Sequence, residues 1–196
     1  PTITSGVPAS GSARDFTNPV TYTITAEGGA TKAYTVTVTV RGRYQGLLAS
    51  TYDDTFGTAF LNPIATLLAV PPSGTVLQGA DIAYPAIFGF SSAFPGLTSD
   101  DTFAVLWEGW FDVTKDGPGE YTFGTESDDG SVVYIDLDED GDYDDPGLGE
   151  LVVDSNLDQA PTVKTGTVLL EMDMARIAIA FYENGGGQAM TARFKA

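Results

Sequence analysis

Two stretches early in the chain alternate apolar and polar residues strictly. Val20, Tyr22, Ile24 and Ala26 interleave with threonines, and Tyr34, Val36, Val38 and Val40 do so again. Glu27-Gly28-Gly29-Ala30-Thr31-Lys32 lies between them. Successive side chains of a strand face opposite ways, so this alternation around a glycine turn predicts a β-hairpin. About 40 residues cannot close a sandwich core alone, so the hairpin belongs to a cut repeat or leans on other strands.

Arg41-Gly42-Arg43 reads as a junction, which gives a fragment over 1–43 and a larger domain over 44–196. In the larger part, "YQGLLASTYDDTF" predicts a first strand and loop. Asn62-Pro63 predicts a short helix over 64–70, because proline suits the first helical position, and Pro71-Pro72-Ser73-Gly74 ends it. The run "FAVLWEGWFDV" at 103–113 predicts a strand with Val105, Trp107, Gly109 and Phe111 on one face. Gly117-Pro118-Gly119 is a turn. "EYTFGTES", "GSVVYIDL", "GELVVDS", Thr167–Leu170, Arg176–Tyr182 and "QAMTARFKA" follow as further strands. Short strands at this spacing predict an all-β protein, an antiparallel, jelly-roll-like β-sandwich behind an N-terminal hairpin fragment.

Composition narrows the chemistry. Apolar residues make up 42% of the 196, enough for a core. Cysteine and histidine are both absent, which excludes disulfides, thiolate and imidazole metal sites and Ser-His-Asp catalysis. The formal charge of -18 sets the chain against nucleic acid and anionic membranes and favours cations. No apolar run is long enough to span a membrane. Starting at Pro1, the chain reads as a processed product or an excised piece. The acid is concentrated: 13 acidic residues and no lysine or arginine lie between Glu126 and Asp158. Such a run is either a solvated loop or a cation site, because a compact domain tolerates that self-repulsion poorly.

The string "SGSARDFTNPVTYTITAEGGATKAYTVTV" resembles the last strands of immunoglobulin-like repeats in bacterial surface proteins. From Tyr44 to Lys195 the chain resembles the protective-antigen-type lectin-like domain, the PA-fourteen family, which includes flocculins and bacterial adhesin modules. The likeness is carried by "WEGWFDV", "GPGEYTF", "ESDDGSVVYID" and "TVLLEMDMARIAIAFYENGGGQA". It implies a β-sandwich with calcium at one end. It further implies that Asp128 and Asp129 hold the ion through a cis peptide, and that the loop Asn184-Gly185-Gly186-Gly187-Gln188 completes the site and meets a sugar.

The residues themselves leave alternatives beside that implication. Asp129-Gly130 is also a strong hairpin-turn signal. Gly185, Gly186 and Gly187 suit a tight loop that offers carbonyls to an ion, but also a plain flexible hairpin. Asp136, Asp138, Asp140, Asp142 and Asp144 fall at positions 1, 3, 5, 7 and 9 of a calcium-loop pattern with Gly141 at position 6. Position 12 is Gly147 rather than glutamate, with Glu150 or Asp145 as substitutes. Strands flank the loop, so it reads as a second, structural calcium site in a hairpin insertion or as a solvated acidic loop. Trp107 and Trp110 read as core for at least one of the pair. Tyr143 and Tyr182 stand near loops as candidates for exposed aromatics.

The expected function is a calcium-dependent carbohydrate-binding adhesion module of a secreted or cell-surface protein, with glycans as partners. Alternatives are a calcium-stiffened structural module, paired with neighbouring subunits through its N-terminal strands, and an accessory domain of a glycan-active enzyme. Catalysis itself is not expected, because the acids fall in glycine-rich patterns without an apolar setting to raise their proton affinity.

Overall fold

The computed structural model describes residues 3–7, 20–26, 28–36, 46–53, 64–79, 81–86, 89–143 and 147–196. The chain divides into two compact units, Pro1–Arg43 and Tyr44–Ala196.

The first unit is a three-stranded antiparallel sheet of β1 (Ile3–Val7), β2 (Val20–Ala26) and β3 (Thr31–Val36), in that order. The hairpin expected from the alternation is the β2–β3 pair, with Tyr22 opposite Tyr34 and the Thr21 and Thr35 hydroxyls 3.1 Å apart. Gly29, at φ 80°, turns it. The sequence pattern did not disclose β1. Val38 and Val40 lie outside the described residues.

The second unit is a two-sheet sandwich. Its elements are β4 (Leu47–Asp53), α1 (Ala65–Leu68), β5 (Gly74–Gln78), β6 (Ala83–Tyr84), α2 (Phe90–Ala93), β7 (Phe103–Asp112), β8 (Gly119–Asp128), β9 (Gly130–Asp136), β10 (Leu151–Ser155), β11 (Thr162–Leu170), β12 (Met174–Glu183) and β13 (Ala189–Lys195). One sheet runs β10-β9-β12-β7-β4-β5 and the other β11-β8-β13-β6. The strand pairs are antiparallel.

The middle strands of the larger sheet read as nearly continuous apolar runs because both of their faces are buried. Phe103, Val105, Trp107, Val133, Ile135, Ile177, Ile179 and Phe181 face the smaller sheet and meet Tyr121, Phe123 and Met190. The alternate residues Ala104, Leu106, Val132, Tyr134, Ala178, Ala180 and Tyr182 form a second core with Ile64, Leu67 and Tyr143. Each large side chain buried this way contributes roughly 1.5–3 kcal/mol. Trp107 is fully buried, while Trp110, near the other end of β7, is 54% exposed. Tyr143 and Tyr182 are buried at 2% and 0% exposure, contrary to the expectation of exposed aromatics. They cover the outer face of the large sheet, a second core that a simple two-layer reading of the sequence does not contain. Among the described residues, no helix is long and apolar enough to cross a membrane.

Candidate functional site

Three connections cross between the sheets at one pole of the sandwich. Asp129 joins β8 to β9, residues 156–161 join β10 to β11, and residues 184–188 join β12 to β13. The start of β7 reaches the same pole, because Phe103 pairs with Glu183. Neither Asp128-Asp129-Gly130 nor the glycine loop is therefore a hairpin turn. Beneath this pole, the inward faces of β8 and β9 change from apolar to hydroxyl-bearing. Ser131 Oγ lies 2.8 Å from Ser127 Oγ and donates to Thr125 Oγ1 at 2.8 Å, and all three residues are buried.

The Asp128-Asp129 peptide is cis. Oxygens of Asp128, Asp129 and Glu183 all lie within 4.8 Å of one another. Asp129 is held firmly. Its Oδ1 accepts from the Gln159 N–H and its Oδ2 from the Asn184 N–H, both at 2.9 Å. Glu183 continues the inward face of Ile177, Ile179 and Phe181, as period-two placement requires. It is fully buried, and neither carboxylate oxygen has a hydrogen-bond partner. Burial, then the charges of Asp129 and Asp128, push its carboxyl up to about 8. Burial and then the Asp129 charge also raise Asp128.

A buried carboxylate without partners is costly, since desolvation is offset only by a counter-charge or hydrogen bonds. The trio supplies hard oxygen donors only, the set calcium prefers at six to eight oxygens. The residues therefore fit a divalent, oxygen-seeking cation, and the unpaired Glu183 oxygens are the observation that decides it.

The glycine loop stands over this trio. A Cβ at Gly187 would lie 3.4 Å from Asp128 Oδ2, and Gly186 has φ 115°, a conformation glycine adopts readily. Asn184, Gly185, Gly186 and Gly187 are exposed, whereas Gln188 is buried. The Gln188 amide donates to the carbonyls of Asp100 (2.9 Å) and Gly186 (3.3 Å), which braces the loop against residues 100–101. The Gly186 N–H donates to Asp101 Oδ1 at 3.2 Å.

Several residues here escaped the sequence reading. Glu183 adjoins Asn184 but looks like a strand's polar end. Asp158 accepts from the Tyr182 hydroxyl at 3.0 Å and from the Asn184 amide at 3.4 Å. Gln159, Asp100 and Asp101 belong to loops distant in sequence, and the end of the acidic run at Asp158 was the only signal for any of them. Gly130, expected as a turn residue, is required by packing: a Cβ there would meet Tyr182 Cε1 at 2.1 Å.

The second acidic motif sits at the far end of β9. Asp136 and Asp138 group with Glu150, again within 4.8 Å, while Asp140 and Asp142 are exposed and stand outside that group. Asp138 Oδ1 accepts from the Asp140 N–H (3.2 Å), and Asp140 Oδ1 from the Asp142 N–H (3.1 Å). Asp144 lies outside the described residues.

Crossing connections and a carboxylate trio at one pole mark the larger unit as a two-sheet antiparallel β-sandwich with one distinctive end. The family model described as "PA14 domain" matches residues 77–172. A second family model, "SGBP, N-terminal", matches residues 2–38. Among solved structures, the fold is similar to the PA14 domain of the MpAFP antifreeze protein, at 16% identity and TM-score 0.58, over 82% of this chain and 87% of that one. It is similar to the PA14 sugar-binding domain of an RTX adhesin, at 18% identity and TM-score 0.59, over 77% and 89%. It is also similar to the epithelial adhesin 6 A domain of Candida glabrata, solved with Galb1-3GlcNAc, at 16% identity and TM-score 0.54, over 80% and 82%. No curated protein matches the chain.

Proposed function

We propose that the larger unit is a carbohydrate-binding adhesion module of a secreted or cell-surface protein, dependent on calcium at the crossing pole. The observation that carries this reading is the buried, unpaired Glu183 beside Asp128 and Asp129. Asp128, Asp129 and Glu183 would hold the ion, with the 184–188 loop beside it. A bound calcium supplies coordination positions that vicinal sugar hydroxyls can fill. Asn184, Gly185, Gly186 and Gly187 are the exposed rim that meets the sugar, and Gln188 fixes the shape of that rim from behind. Likeness to a sugar-binding adhesin domain and to an adhesin domain solved with a disaccharide supports the same reading.

Binding is favoured over catalysis. Glu183 has the raised proton affinity a general acid needs, so the expectation that no acid has an apolar setting is corrected. Yet its full burial keeps it from any glycosidic oxygen. The test is a glycan array probed with the full chain, with calcium and with excess chelator. Calcium-dependent spots support the reading. An array blank under both conditions, from a folded chain, overturns it, and turnover of a synthetic glycoside would overturn the non-catalytic part.

A structural role has one observation in its favour. The N-terminal sheet has only three strands, and its outer strands β1 and β3 are edges among the described residues, open to pairing with a neighbouring chain.

A further inference from the structure

We propose that Asp136, Asp138 and Glu150 form a second divalent-cation site of the calcium class, separate from the glycan pole, that ties down the base of the β9–β10 insertion. Three oxygen donors converge there. Asp136 is 2% exposed, and its Oδ1 has no hydrogen-bond partner. The Tyr143 hydroxyl, on the same insertion, is likewise buried and without a hydrogen bond. Two buried polar atoms left unsatisfied beside converging carboxylates point to a missing ligand.

The surroundings hold the acids in position. Asp136 Oδ2 accepts from the Gly141 N–H at 3.2 Å, and Glu150 Oε1 from the Leu137 N–H at 2.8 Å. These bonds hold both acids in place from opposite ends of the insertion. Arg176 is the cation nearby. Its Nη1 is 3.9 Å from Asp136, and its Nη2 is 3.6 Å from Glu108. It also donates to the Gly141 carbonyl and lies 5.1 Å over the Tyr143 ring. One guanidinium divided between Asp136 and Glu108 cannot balance three converging carboxylates. Asp140 Oδ1 accepts from the Asp142 N–H, and the converging group holds Asp136, Asp138 and Glu150 but not Asp140 or Asp142, so the donors differ from the one-three-five-seven-nine pattern of the sequence. Glu150 takes the place of the missing twelfth-position glutamate.

The site follows from the acids of the insertion and does not depend on glycan recognition. The experiment is calorimetric titration of the chelator-stripped full chain with calcium chloride, for wild type, Asp138→Asn, Glu150→Gln and Asp128→Asn. Wild type should bind two ions. Asp138→Asn and Glu150→Gln should each weaken one of them about tenfold or more, since affinity follows ligand charge. Asp128→Asn should weaken only the other. Asp138 is exposed, so its variant keeps the fold and the test stands even if Glu150→Gln unfolds. A second readout is cleavage after Glu139 by a glutamate-specific protease, which calcium should slow in wild type and in Asp128→Asn but not in Asp138→Asn. One ion in wild type, insensitive to Asp138→Asn, overturns the proposal, as does calcium protection of Glu139 that survives Asp138→Asn.

Discussion

The two acidic groups stand at opposite ends of β9 and meet the same difficulty differently. At Asp128-Asp129-Glu183 no guanidinium or ammonium forms an ion pair among the described residues, and a fully buried carboxylate is left without any hydrogen bond. At Asp136-Asp138-Glu150, Arg176 already supplies part of the counter-charge. The first group has no counter-charge among the described residues, and the second has part of one. Among the described residues, three consecutive exposed glycines, Gly185 to Gly187, stand beside the first group alone. The contrast separates a group whose deepest carboxylate has no partner from one already paired in part with a guanidinium.

The largest effect should come from breaking the first group. Asp128→Asn should weaken calcium, and with it any glycan, by about 100-fold, because a full ligand charge is lost from the trio. Titration with calcium and then with disaccharides measures this, and near-ultraviolet circular dichroism should show an intact fold. If glycan binding persists in the variant, the two functions are not joined.

Removing the ion altogether should come next. An ion at about 100 times its dissociation constant stabilises by about 2.7 kcal/mol, and each kcal/mol moves the melting point of a domain this size by about 2–4 °C. Excess chelator should therefore lower it by roughly 5–10 °C. In Asp128→Asn a smaller drop should remain, owed to the second group, and an unchanged curve in wild type would defeat both sites.

Gly130→Ala tests the wall between the pole and the outer core. The added methyl would collide with the Tyr182 ring, so destabilisation of about 1–3 kcal/mol is expected in denaturant melts. A neutral substitution would mean that Tyr182 moves freely, and the Asp158 contact would lose its meaning.

The pH dependence sharpens the contrast further. Glu183 titrates higher folded than unfolded, from 4.5 to about 8. Ion-free, the folded state holds its proton more tightly, so the associated stability is full below 4.5 and is lost as pH rises through about 8. Chelated wild type should thus lose melting temperature between pH 5 and 9, by a few degrees. Glu183→Gln should flatten that slope while abolishing the stabilisation by calcium. In wild type, calcium affinity should rise over the same interval, because the ion binds the ionised form. A slope that survives in Glu183→Gln assigns it to other groups.

The smallest effect should follow Tyr182→Phe. It removes one hydroxyl that donates to Asp158, worth about 1 kcal/mol, and leaves the ring in place. Chemical denaturation measures it, and a loss well beyond that value would give the Tyr182–Asp158 bond a larger part in shaping the pole.

The sandwich was legible because its middle strands are long and buried on both faces, which leaves apolar runs such as 103–107 and 177–182 unmistakable. Asp128 and Asp129 were legible through the motif around them. Glu183 was not, since a carboxylate that ends an alternating strand looks like any solvated strand end, and only the third dimension shows it turned inward. Tyr143 and Tyr182 misled for the reverse reason. They lie next to polar loops in sequence but on a sheet face covered by α1 and the acidic insertion. Gln159 reaches Asp129, and Asp158 reaches Tyr182 and Asn184, across a change of sheet, contacts that no local spacing encodes.

The registers of β4 and β13 carry one more consequence. Leu48 pairs with Glu108, towards the end of β7 away from the crossing pole, and Lys195 pairs with Thr122, well back from Asp128. Strand β4 therefore begins, and β13 finishes, on the side opposite the site. The crossing pole stands off from that side by the length of β13, about 20 Å at roughly 3.3 Å per residue. A force applied between that pole and the start of β4 at Leu47 would run lengthwise along the strands. Their hydrogen bonds are then strained together in shear, the direction in which a β-ladder resists best, instead of being peeled one at a time.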